Sequence, residues 1–152
     1  MANPFPFVAG AVLTAAELNG IGEAWTSYTP VIKGGATTVT ATMNYAKYAR
    51  INKLVLVQVD ATVTSAGAAN GTITISLPTG LNLLNSSGFT TIGTFFVTDL
   101  GVAFYNGAAV PASATTVGGI SYNSGSYMGS GGPAFTLANG DRVAIEICYE
   151  VA

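Results

Sequence analysis

Residues 48–64 read YARINKLVLVQVDATVT, and the alternation inside this stretch decides the fold class. Val55, Val57, Val59, Ala61 and Val63 fall on one side at period two. Gln58, Asp60, Thr62 and Thr64 fall on the other, after Leu54 and Leu56. One side is therefore core and the other becomes polar along its length. At roughly 3.3 Å per residue, a strand of this length crosses a whole small domain, so shorter strands must pair along it. The expectation is one long central strand of a β-sandwich.

Working outward, the end of the chain is equally regular. Val143, Ile145, Ile147, Tyr149 and Val151 alternate with Arg142, Ala144, Glu146, Cys148 and Glu150, after an Asn139-Gly140 turn. Further strands are expected over residues 31–33, 37–43, 71–77, 90–98, 102–105 and 115–122. Ala69-Asn70-Gly71 reads as a hairpin, since Asn-Gly tolerates positive φ between two alternating runs. Pro78-Thr79-Gly80 stops the strand that follows. Many short strands and no second helix describe an all-β domain, an antiparallel sandwich with jelly roll as the favoured topology and immunoglobulin-like as the alternative.

The start of the chain is different. Residues 1–13, MANPFPFVAGAVL, show no period and carry two prolines, which describes an extended arm. Phe5 and Phe7 would each gain about 1.5–3 kcal/mol from burial, so the arm calls for a groove. Thr14 with Glu17 forms a capping box, with Leu13 and Leu18 placed for a hydrophobic staple, and a helix is expected over residues 15–25. Leu18, Ile21 and Trp25 give it a narrow apolar stripe, while Gly20 and Gly22 weaken it by about 1 kcal/mol each. Pro30 closes a turn-like TSYTP connector, dividing an arm and helix at 1–30 from a sandwich at 31–152.

Only 8% of the 152 residues are charged, against roughly 25% in ordinary domains, while 49% are apolar. Some apolar surface is expected to meet another subunit. Three of the five basic residues gather at Lys47, Arg50 and Lys53, which is too small a patch to make nucleic acid a partner. No apolar run reaches the ~18 residues of a membrane helix, so no membrane insertion is expected. The apolar opening lacks a preceding basic residue and holds Pro6, unlike a signal peptide. Cys148 is the single cysteine, so no intrachain disulfide is expected.

Catalytic patterns are sparse. The chain has no histidine, which removes the commonest general base and metal ligand. Glu146 and Glu150 share a strand face but stand roughly 13 Å apart along it, beyond the span of a glycosidase pair. Asp60, Asp99 and Asp141 have no calcium-loop spacing. No catalytic, cofactor or metal site is expected. Tyr45, Tyr48 and Arg50 offer a sugar-stacking platform or plain packing, packing being the stronger reading. Residues 118–133, GGISYNSGSYMGSGGP, read as an exposed loop in which Tyr122, Tyr127 and Met128 sit among small residues, a composition binding loops use.

Two stretches resemble a family. FVAGAVLTAAELNGIGEAWTSYTP, residues 7–30, is similar to the N-terminal motif of many small tailed-bacteriophage virion proteins: a Leu-Thr-Ala-Ala cap, Leu-Asn in the helix, then Trp and a Tyr-Thr-Pro exit. YARINKLVLVQVDATVT followed by GTITISLPTG resembles the same proteins' strand pattern. The resemblance implies a non-enzymatic structural protein of the virion, without cofactor. It also implies a homotrimer docked to a capsid or tail protein through its N-terminal segment. Phe5, Phe7 and Leu13 become the anchor candidates and Leu18, Ile21 and Trp25 the trimer-helix candidates. The family includes tail-fibre, minor tail, head-fibre and decoration proteins. The absence of a repetitive shaft favours a short spike, decoration protein or tail-tip component. The alternative is a receptor-binding module whose distal loop, with Tyr122, Tyr127 and Met128, recognises a host surface glycan or protein.

Overall fold

The computed structural model describes residues 24–65, 69–87 and 90–152. Among these residues there are strands and turns and no helix. The strands are β1 (Thr26–Ser27), β2 (Ile32–Gly34), β3 (Thr37–Thr38), β4 (Ala41–Ile51), β5 (Leu54–Val63), β6 (Ala69–Asn70), β7 (Ile73–Ser76), β8 (Gly93–Asp99), β9 (Ala103–Ser113), β10 (Thr116–Ser121), β11 (Thr136–Leu137) and β12 (Arg142–Glu150). Ten form one antiparallel sheet in the order β1-β4-β5-β12-β8-β9-β10-β7-β2-β3, and β6 pairs with β11. The sheet curls so that Val55, Val57 and Val59 of one half share a core with Ile32, Ile73, Ile75 and Val117 of the other. This is an all-β domain, consistent with a β-sandwich.

The 48–64 stretch is two strands rather than one. β4 and β5 pair with Ile51 opposite Leu54, and the chain reverses at Asn52, whose φ is 56°. Asparagine tolerates this left-handed conformation better than any residue but glycine. The alternation of β5 is as expected: Val55, Val57, Val59, Ala61 and Val63 are buried. β12 matches it residue for residue, Arg142 opposite Thr62 through Glu150 opposite Leu54, and also pairs with β8. The last strand read from the sequence therefore lies near the middle of the sheet.

Three other expectations change. Gly71 takes positive φ, yet Asn70-Gly71 makes no hairpin. β5 and β7 lie in opposite halves, and β6, which lies between them in the chain, is bonded to β11. β9 is longer than residues 102–105, running through Pro111. That proline lies past Ala109, the last residue of β9 paired with β8, so its missing N–H breaks no ladder bond there. The 15–25 helix lies outside the described residues except for Ala24 and Trp25, which are not helical, and Thr26–Ser27 of the expected connector pairs with Lys47 and Tyr48.

Residues 118–133 are not simply an exposed loop. β10 occupies them to Ser121, a turn follows, and the chain then wedges between β10 and β7. Met128 N–H donates to Gly119 O at 2.9 Å, and Ile73 N–H donates to Met128 O at 3.0 Å. Hydrogen-bonded on both sides, Met128 points inward and is 0% exposed. Its neighbours leave room because they lack side chains. A Cβ at Gly107 would lie 2.8 Å from Met128 Cε, and one at Gly119 only 2.5 Å from the Phe95 ring.

The strand directions give the domain two ends. The chain enters beside Ala49 and the β4–β5 turn, because Thr26 lies opposite Tyr48 and β1 runs antiparallel to β4. The β8–β9 turn and the turn after β10 lie at the other end.

Candidate functional site

The outer faces of the two sheet halves differ. On β10, β7, β2 and β3 the register aligns Gly118, Thr74, Lys33 and Thr38, with the half-buried Tyr127 ring covering Gly118. On the other half, one row runs Tyr45, Asp60, Ala144, Phe96, Asn106 and the next runs Lys47, Gln58, Glu146, Thr94, Ala108. These rows floor an open groove of about 590 Å³ lined by Tyr45, Gln58, Asp60, Phe96, Ala144 and Glu146.

The groove continues into an apolar patch. Phe96 stacks on Phe104 with ring centroids 6.1 Å apart, and Leu100 and Val102 project from the turn between their strands. Phe104 is 76% exposed, Val102 73% and Leu100 63%. Three large apolar side chains this open, beside the less exposed Phe96, mark a contact surface.

The charges on this face are already partnered. Arg142 Nε donates to Asp60 Oδ1 at 3.0 Å while its terminal nitrogen donates to Oδ2, a bidentate fork. That fork, helped by the Asn44 amide and opposed by partial burial, holds the Asp60 carboxyl below its ordinary range. Gln58 donates to Glu146 at 3.2 Å, Lys53 approaches Glu150 at 3.8 Å, and Lys47 Nζ stands 5.2 Å from the centre of the Tyr45 ring. Asp60 and Glu146 face the same groove, yet the arginine keeps Asp60 ionised, the opposite of what a proton-donating carboxyl requires. The arrangement is suited to contact and orientation.

Elsewhere, Asp141 is buried, and its two oxygens accept the backbone N–H groups of Leu100 at 2.9 Å and Ala138 at 2.8 Å. It thereby ties the β8–β9 turn to the turn before β12. Partial burial and the charge of Asp141 push the Asp99 carboxyl upward. Among the described residues no three metal-ligating side chains come together.

The sequence candidates scatter. Phe5, Phe7, Leu13, Leu18 and Ile21 lie outside the described residues, and Trp25 is 44% exposed where the chain enters β1. Tyr122 is 64% exposed at the far end, Tyr127 is half-buried, and Met128 belongs to the core, which removes it as a contact residue. Tyr45 and Tyr48 point to opposite faces. Tyr48 packs edge-on against Tyr28 at 5.9 Å, beneath the sheet, so the two tyrosines and Arg50 form no common platform. What sequence reasoning missed is Phe96 and Phe104. The signal was present in Phe95-Phe96, adjacent residues of one strand that must face opposite sides.

Comparison with known proteins returned no matching family model, no matching curated protein and no matching solved structure.

Proposed function

We propose that this chain is a structural component of a bacteriophage particle, a homotrimer attached through residues 1–30 and projecting a jelly-roll-like sandwich outward. The short helix after Thr14 belongs to the attachment segment, with Phe5, Phe7 and Leu13 as its anchoring side chains. In this reading β4-β5-β12-β8 is one layer of the sandwich and β10-β7-β2 the other. The observation that carries it is the polarity of the domain. The chain enters at one end, beside Ala49, after a segment resembling virion-attachment motifs, while the exposed Tyr122, in the turn after β10, lies at the opposite end. An anchored module with a presented tip needs this arrangement.

That same tip favours host recognition as the second reading, with a surface glycan or protein meeting Tyr122. To test the first, labelled protein is added to particles lacking it and located by electron microscopy. Attachment at regular sites on the head or tail, abolished by deleting residues 1–25, is expected. Attachment that survives the deletion rejects the anchor. Alanine at Tyr122 tests the second, since unchanged host adsorption sets it aside.

A further inference from the structure

Eleven large apolar side chains are exposed among the described residues, and they are distributed unevenly. Tyr45, Ile51, Leu54, Phe96 and Phe104 stand on the outer face of β4, β5, β8 and β9, and Leu100 and Val102 extend it at the hairpin tip. Along β10, β7, β2 and β3, the strand positions that face outward are instead threonine, serine, lysine and glycine, apart from Ile120. The charges on the apolar face cancel. Lys47, Lys53 and Arg142 give three positive, Asp60, Glu146 and Glu150 three negative, and each has a partner in its own chain.

A surface that is apolar, neutral and internally paired presents no like-charge penalty to a copy of itself. A charged ligand, by contrast, would have to break these pairs. Five strands about 4.8 Å apart and about nine residues long span on the order of 700 Å², close to the roughly 800 Å² a stable interface takes from each partner. We infer that the outer face of β4-β5-β12-β8-β9, including Phe96, Phe104 and the Leu100–Val102 turn, is the surface through which copies of this chain pack together. The inference rests on the homotrimer proposed above and assigns its contacts to the β-domain.

Cys148 is a built-in reporter, because it is exposed on this same face, opposite Leu56. The full chain is followed by light scattering at micromolar concentration and by the rate at which a maleimide labels Cys148. The expected result is a trimer whose thiol reacts at least about tenfold more slowly than in Phe104→Glu or Val102→Glu, both of which dissociate while keeping their strand circular dichroism. Thr38→Glu, on the opposite half, leaves both readouts unchanged. A trimer that persists in both glutamate variants, with Cys148 labelled rapidly throughout, overturns this interface and leaves the trimer reading standing. A monomeric wild type overturns both, and if its Cys148 is still protected, residues of its own chain cover the face.

Discussion

The β5–β12 pair and the segment from Gly118 to Met128 bury apolar side chains by opposite means. In the pair, Val57 and Val59 meet Ile147 and Ile145 because every second side chain faces inward and the registers match. At the segment, Met128 fits against Gly107 of β9, and the Phe95 ring of β8 fits against Gly119, because neither glycine has a side chain to displace them. The first kind of packing is made by what is present at regular intervals, the second by what is missing at particular places. Alternation repeats along one strand and averages over errors. Close approach depends on a single atom and tolerates none.

The comparison is broken most directly at Phe95. Phe95→Ala is expected to cost about 4 kcal/mol in urea denaturation, and Gly119→Ala about 2 kcal/mol because the new methyl meets the ring. If the two positions depend on each other, the double variant costs at least about 1 kcal/mol less than the sum. Simple additivity rejects the close-approach account. Next, Met128→Ala is expected to lose about 3 kcal/mol, comparable to a substitution in β5. A loss under about 0.5 kcal/mol returns the segment to the status of a surface loop.

This contrast also explains what could be read in the sequence. The strands of β5 and β12 were legible because Val and Ile recur at period two over nine or ten residues. The β4–β5 reversal was not, since Ile51 and Leu54 are both apolar and the two turn residues interrupt the pattern without erasing it. Gly71 takes the positive φ expected of it, but Asn70-Gly71 makes no hairpin, because a turn does not specify where the next strand pairs. Met128 among glycines resembled a binding loop, because the ladder that turns it inward comes from Gly119 and Ile73 on other strands. At the candidate site, Tyr45 was visible and Phe96, on the same row, was not, since that row crosses four strands.

Two smaller effects sharpen the picture at the ends of these regions. Asp141→Ala leaves the Leu100 and Ala138 N–H groups without their acceptor, and a loss of about 2 kcal/mol is expected. The amides of the β8–β9 turn should then exchange faster by hydrogen exchange while those of β5 stay protected. Unchanged exchange in the turn rejects the tether. Smallest is the effect of the Asp60–Arg142 pair, because water screens an ion pair whose arginine is exposed. Because the Asp60 carboxyl is held low in the folded state, its contribution is present above the ordinary carboxylate range and fades as pH falls through the depressed value. Asp60→Asn should therefore flatten the acid side of the stability profile and change little below it. An equally steep acid loss in the variant places that loss on other groups.

One feature of the sheet sets a schedule for biosynthesis. Among the described residues, β12 is the only link between β1-β4-β5 and the other six strands of its sheet, and it is the last of these strands in the chain. Until residues 142–150 emerge from the ribosome, β5 and β8 each present an open edge able to pair with a neighbouring nascent chain. Closure then joins partners distant in sequence, a slow step by contact order. A chain truncated before Arg142 should therefore aggregate more readily than the full chain, and equal solubility of the two would reject this account.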